Sequence, residues 1–429
     1  MNEQPTDQII GTVTNFYLGS HDFNGIPAAA LVEQLGTAWE VVHPQLKKLI
    51  DDDVVGLVYA DTAINPHVLR LGFEPKDDQI AKLAAANLHH TCIYPRPKHL
   101  AVVVDPARYS DEPYKLCIAL GEPQLAFRSF DLSVLETYRN DPRYRYDNND
   151  INGSISVRDR ELGSHGMEER DEVFLQTFGF SYDNDMNRAV AVYLRYLANL
   201  SSEHQQVWKA KELQGKYLLH PDYFRTSIIG DWGERNPIFN AFLAELRIIN
   251  QMATAMGRPP LFRDDYGEYG ARKPQKFGFL IRPTLEELNA FVLLLDKMLS
   301  DNINKAFFRK EVADETELER ADGKLEVRQK GTLQILDDWI RQVYHTDDWK
   351  PWEEAIAALR DVRKRRQKPA HAIDENVFDQ QYFKEQRDLI IRAYEAVRTI
   401  RLMFENHPNV KKAAIDIPEW LRDGRIWTY

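Results

Sequence analysis

A chain of 429 residues is too long for one ordinary hydrophobic core, and its 43% hydrophobic and 28% charged residues are values of a globular protein. No apolar run approaches the roughly eighteen residues a membrane-spanning helix needs, and the start, MNEQPTDQII, lacks the basic and apolar parts of a secretory leader, so a cytoplasmic protein is expected. The net charge of −11 argues against a surface coated for nonspecific nucleic-acid binding, so any such role must come from a local basic patch.

Residues 1–75 read as a compact unit. A helix pattern over Gln8–Leu18 precedes the turn-rich HDFNGI (21–26), and Pro27 opens a short helix that Gly36 ends. A second helix, Trp39–Asp51, places Val41, Val42, Leu46 and Leu49/Ile50 on one face. Two β-rich runs follow, VVGLVY (54–59) and HVLRL (67–71). Helix, short strand, helix, turn, helix and hairpin resembles the winged-helix family over about 70 residues. In a DNA-reading member the second helix of the pair enters the major groove. Here that helix would present His43, Gln45, Lys47 and Lys48, then Asp51, Asp52 and Asp53. Ten Asp/Glu against three Lys/Arg in residues 1–75 would repel phosphates, so docking to a protein is favoured over binding DNA.

Residues 76–160 read as a small mixed α/β region, with LAVVVD (100–105), KLCIAL (115–120) and QLAFRSF (124–130) as strands and SVLETYRND (133–141) as a short helix. Cys92 and Cys117 are the only cysteines, fit buried thiols in a reducing compartment, and have no histidines at zinc spacing. The tract at 141–157 gathers Asp141, Asp147 and Asp150 near Tyr144 and Tyr146. It does not match a calcium-binding loop, and a polar turn is the simpler reading beside a cation site. Residues 158–175 read as an exposed loop, and the segment 161–275 is otherwise read as helical. Its amphipathic helix starts at Asn236-Pro237 and stops at Gly257 before Pro259-Pro260. The glycine-rich, charged stretch 263–278 suggests the last domain boundary.

Residues 276–429 read as a four-helix bundle. Thr284-x-x-Glu287 is a capping box ahead of Leu288, Phe291, Leu295 and Met298/Leu299. The hydrophilic insert 309–331 is read as a loop. Thr332 caps a helix with Ile335/Leu336, Trp339, Ile340 and Val343 inward, and Pro351 opens a third with Trp352, Ile356 and Leu359 inward. The longest helix, about Gln380–Glu405, faces the core with Phe383, Ile390, Tyr394, Val397 and Phe404. Between the third and fourth helices, six of the nine residues 360–368 are cationic: Arg360, Arg363, Lys364, Arg365, Arg366 and Lys368. At helical spacing Arg360, Arg363 and Arg366/Gln367 share a face opposite the apolar stripe, and Pro369 then presents His371 just past the helix end.

An arginine followed by a histidine after four to six residues, at a helix end in such a bundle, resembles the HEPN superfamily, many of whose members are metal-independent ribonucleases that pair two such motifs in a dimer. Arg366…His371 fits the spacing with four intervening residues and Arg365 with five. Arg160…His165 and Arg401…His407 fit as well, without the cationic surroundings. The residue after the arginine is commonly Asn, Asp or His in that family, and here it is Gln367. The resemblance implies Arg366 and His371 as catalytic residues, Arg360, Arg363, Lys364, Arg365 and Lys368 as RNA-binding residues, no metal or cofactor, and a homodimer through the bundle. The expected whole is a mainly α (α+β overall) protein: winged-helix-like module, small mixed middle, helical region and HEPN-like bundle. Its expected function is that of a regulated RNA endonuclease, of the kind the resemblance associates with bacterial toxin and anti-phage systems. The alternative is an adaptor or transcriptional regulator with an inactive bundle.

Overall fold

The computed structural model describes residues 5–61, 65–149, 151–159, 161, 167–231, 235–319, 325–367 and 375–427. The chain is an α+β protein, about 51% helical with 15% strand. It divides into two units: residues 1–146 with 152–231, and residues 147–151 with 232–429.

The first unit begins with α1 (Pro5–Gly19), β1 (Ile26–Pro27), α2 (Ala28–Leu35) and α3 (Trp39–Asp51), followed by β2 (Val55–Tyr59), α4 (Lys76–Leu83) and β3 (Thr91–Pro95). Gly36 ends α2 at φ 60°, a left-handed turn that costs glycine little. Val42, Leu46, Leu49 and Ile50 of α3 enter a core shared with Val13, Leu31, Leu57 and Ile93. Val41, expected on that face, is exposed. The antiparallel sheet has the order β1-β3-β2, with Ile26 opposite Ile93 and Leu57 opposite Ile93 on the other side. The partner of β2 is therefore β3, not the segment 67–71, where Val68 closes a turn on Asn65 and the Leu69 amide donates to Gln124 Oε1.

Two segments expected as strands are helices: α5 (Pro97–Val103) and α6 (Pro113–Ala119). Each has proline in its first turn, where the missing N–H is not needed. Their buried residues recur at helical spacing, Leu100 with Val104 and Tyr114 with Ile118, whereas Val102 is 84% exposed. Next come β4 (Phe127–Phe130), α7 (Glu136–Asn140), β5 (Tyr144–Asn148), β6 (Asn152–Val157), β7 (Phe174–Tyr182) and β8 (Arg188–Tyr193). They form a sheet of order β4-β8-β7-β6-β5. After α8 (Leu194–Ala198) and α9 (Ser202–Lys209), β9 (Leu218–Leu219) pairs with β7, and α10 (Pro221–Phe224) closes the unit. The 161–275 segment is therefore not uniformly helical. Its run RAVAVY is a strand buried on both faces, which shows no period-2 alternation.

The second unit contains β10 (Asn236–Pro237), α11 (Ile238–Ala255), α12 (Leu285–Met298), the hairpin β11 (Glu315–Glu319) and β12 (Leu325–Gln329), α13 (Thr332–Val343), α14 (Lys350–Gln367), α15 (Gln381–Glu405), α16 (Pro408–Ala413), α17 (Glu419–Arg422) and β13 (Ile426–Trp427). The insert expected as a loop thus carries an antiparallel hairpin, with Glu317 opposite Val327. Helix α11 packs along α15, α15 along α14, and α14 along α12. The expected stripes meet in one core at Leu246 and Ile249, Phe291 and Leu295, Trp339, Trp352 and Ile356, Val397 and Phe404, whereas Val343, expected inward, is exposed and Phe383 is only partly buried. The Thr284 hydroxyl caps α12 by accepting from the Glu287 amide, while Glu287 reaches back to the Ile281 and Arg282 amides.

Within this core Arg401 of α15 donates to Glu245 of α11 at 2.6 Å, and both side chains are buried. Burial pushes the Glu245 carboxyl from its ordinary 4.5 up to about 7, against the pull of Arg401. Replacing Arg401 by alanine strands that carboxyl inside, and urea titration should show a loss of about 3–5 kcal/mol, largely recovered when both partners become leucine. A carboxyl whose pKa folding raises binds more protons in the native state. Its contribution is fully present below 4.5 and is lost as pH rises through about 7. Between those limits the wild-type stability should fall with pH relative to Glu245→Gln; parallel curves for the two proteins would refute this.

Candidate functional site

Helix α14 presents Trp352, Ile356, Leu359 and Val362 inward. One turn apart on its flank, Arg363 and Arg366 reach the end of α12. The arginines expected on one face opposite the apolar stripe instead reach neighbouring helices while staying partly exposed. Asp296, in the last turn of α12, has 0% side-chain exposure and accepts through Oδ2 from Arg363 Nη1 at 2.9 Å and Arg366 Nη1 at 2.6 Å. The Ser300 hydroxyl holds its other oxygen. Asp301, in the short turn Ser300–Asn302, accepts from Arg363 at 2.6 Å through Oδ1 and from Arg366 at 2.5 Å through Oδ2. Burial acts to raise the Asp301 carboxyl, but hydrogen bonds and charge from both guanidinium groups hold it below the usual carboxylate range. Two arginines and two aspartates make a cluster of zero formal charge.

The other cations go elsewhere. Arg360 and Arg341 both donate to Asp337 of α13, which also accepts from Trp352 Nε1 at 2.9 Å. Arg365 lies on the far flank, bonded to Asp361 at 3.1 Å and 3.4 Å from Glu385, and Arg392 of α15 joins it on Asp361. Lys364 is exposed, with no carboxylate partner among the described residues, and lines a shallow groove with Ile356, Ala357 and Arg360. Lys368 and His371 lie outside the described residues. The structure therefore brings Arg363 and Arg366 together and separates them from Arg360 and Arg365.

The competing motifs fare differently. Arg401 is committed to Glu245 and Glu405, and the His407 ring accepts from the Asn409 amide as the cap of α16. Arg160 and His165 lie outside the described residues. At the acidic tract, the Asp141 carboxylate is taken by Arg143, Tyr144 and Tyr146 are buried, and Asp150 lies outside the described residues.

Sequence reasoning missed Asp296, Asp301 and Asp337. A signal existed for two of them. Asp296 interrupts the apolar run FVLLLDKML, and Asp337 follows Ile335-Leu336 on an inward stripe. An acid at a core position needs a partner, and the surplus cations of α14 are the available ones. No family model, curated protein or solved structure matches the chain.

Asp337 joins two helices through three donors, so its loss should cost more than that of either half-exposed arginine. In urea, Asp337→Ala should lose about 1–3 kcal/mol, chiefly from the buried Trp352 N–H left without an acceptor, and Arg360→Ala about 1 kcal/mol or less. Burial acts to raise Asp337, but the Trp352, Arg341 and Arg360 donors hold it below its ordinary 3.8. Its stabilisation is therefore present above that value and lost as pH falls through the lower folded value. Acid unfolding should begin at higher pH in the alanine variant; an unchanged acid transition would contradict the assignment.

Proposed function

We propose that the second unit is a HEPN-like bundle acting as a metal-independent RNA endonuclease, with Arg366 and His371 as its catalytic pair and a homodimer as its working form. The observation that carries this reading is the convergence of Arg363 and Arg366 on the same carboxylates at the end of α14, five residues before His371. Two guanidinium groups aimed at one pair of oxygens form a receptor for a doubly coordinated anion such as a phosphoryl group. Arg366 shares its carboxylates with a second guanidinium, Arg363, whereas Arg365 stands apart on Asp361 and Glu385, which supports Arg366 as the motif arginine.

In this mechanism the ribose 2′-oxygen attacks the adjacent phosphorus and gives its proton to a base. The bond from phosphorus to the 5′-oxygen breaks, and that oxygen takes a proton. The products are a 2′,3′-cyclic phosphate and a 5′-hydroxyl. His371, of a side-chain type that titrates near neutral pH, moves the proton, and Arg366 meets the charge growing on the phosphoryl oxygens. Lys364 and Lys368 hold flanking phosphates. Cleavage of total RNA by the full-length protein should survive EDTA, leave cyclic phosphate ends, spare DNA and vanish in His371→Ala and Arg366→Lys. Full activity in His371→Ala would sink the assignment.

A second reading, an adaptor or transcriptional regulator with an inactive bundle, is favoured by one specific observation. The charges of Arg363 and Arg366 are already balanced by Asp296 and Asp301. The order of α1 to β3 and the β1-β3-β2 sheet support a winged-helix reading, although the unit runs past the expected residue 75 to Pro95 and α4 stands between β2 and β3, the pair that takes the place of the expected hairpin. The outer face of α3 carries Glu40, Val41, Pro44, Lys47, Lys48 and Asp51, a mixed surface suited to a protein partner. Full-length protein should show no duplex-DNA binding that depends on Lys47 and Lys48 at physiological salt. Micromolar binding with a steep salt slope, lost when both become alanine, would instead make this face a DNA reader.

A further inference from the structure

We infer that Asp301 occupies the anion site of this protein, as a resident carboxylate that a phosphoryl group of the ligand must displace. The inference rests on the anion-binding half of the proposed function, not on cleavage.

The two carboxylates of the cluster are not equivalent. Asp296 is fully buried inside α12 and tied to the Ser300 hydroxyl, so it belongs to the packing. Asp301 stands on the turn beyond the helix with 39% of its side chain exposed. Its two oxygens divide between the two arginines, one to Arg363 and the other to Arg366. Phosphoryl oxygens make the same two-oxygen bridge between guanidinium groups.

Once Asp301 swings away, Asp296 still neutralises one arginine, and one positive charge remains uncompensated on guanidinium groups whose side chains are 40% and 30% exposed. A third cation borders the place: Arg263 Nη1 donates to the Asp301 main-chain carbonyl at 3.2 Å, and its side chain lies at the surface. The vacated site would thus be lined by Arg263, Arg363 and Arg366 above a buried carboxylate that keeps the two helix arginines aligned. A monoanionic carboxylate in that position holds the receptor closed against weak anions and yields to a phosphodiester that brings flanking phosphates with it.

The test uses full-length protein and a fluorescein-labelled 2′-O-methyl oligouridine, which binds but lacks the attacking hydroxyl. Anisotropy in about 0.1 M salt should show Asp301→Asn binding about tenfold tighter than wild type, with inorganic phosphate competing. The control Glu354→Gln removes the same charge from the exposed start of α14 and should change affinity by less than about threefold, the generic effect of one surface charge. Adding Arg366→Gln to Asp301→Asn should erase the gain. Equal gains in Asp301→Asn and Glu354→Gln, or none in either, would overturn the inference. Asp301→Ser should behave as Asp301→Asn; if neither variant folds by circular dichroism, the carboxylate is a structural buttress and the inference falls. An Asp301→Asn protein that binds tightly yet leaves unmodified RNA intact would uphold the resident carboxylate and reject the nuclease. Cleavage without any gain in affinity would do the reverse.

Discussion

A carboxylate taken out of water must find cations, and in the second unit that requirement decides how the helices meet. Asp296 on α12, Asp337 on α13 and Glu245 on α11 all point into the interior. Each is answered by arginine from another helix: Arg363 and Arg366, Arg360, and Arg401. Apolar stripes bring helices together at many registers of similar burial. A buried charge pair tolerates few, because a slip of one turn strands both partners at a cost of about 3–5 kcal/mol. The aromatic cluster of Phe307, Trp339 and Phe404 then fills the space those pairs define, with ring centroids 5.0–6.0 Å apart.

The same economy makes the basic end of α14 ambiguous from its composition alone. Its arginines stabilise the fold, and two of them also have the geometry of an anion receptor. The helix C-terminus favours cations, which eases the clustering that either role needs. What separates the roles is exposure. Asp296 and Asp337 are inside and can only be structural, whereas Asp301 is at the surface and exchangeable. Affinity for an external anion is then a competition between that anion and one carboxylate, set by how far Asp301 can turn from the pair it bridges.

Much of the helical framework was legible in the sequence. Pro27 and Gly36 bracket α2, Thr284 caps α12, and the stripes of α12, α13, α14 and α15 have the 3.6-residue spacing that burial imposes. The errors share a cause. LAVVVD and KLCIAL are rich in strand-forming residues, yet Pro97 and Pro113 start helices there, and the buried positions follow helical spacing. RAVAVY and the polar hairpin of 315–319 with 325–329 failed in the opposite sense: the first is buried on both faces, and Val327 of the second is exposed, so neither carries a clean apolar alternation. Local propensity is a weak term, and tertiary burial overrides it.

By itself the sequence determined which faces of the helices are apolar, where those helices start and stop, and that cations are concentrated in residues 360–368, because each is a property of neighbours along the chain. Spacing alone did not single out Arg366 and His371, since two other Arg/His pairs share it; their place at the basic end of a bundle helix did. Only the tertiary structure decided what the cations face. Arg363 and Arg366 meet aspartates 62 to 70 residues away in sequence, while Arg360 and Arg365, in the same run, turn to different helices. Side chains a few positions apart on one helix diverge around its axis, so whether a basic run makes one site or several depends on the helices packed against it. No pattern along a single segment records that.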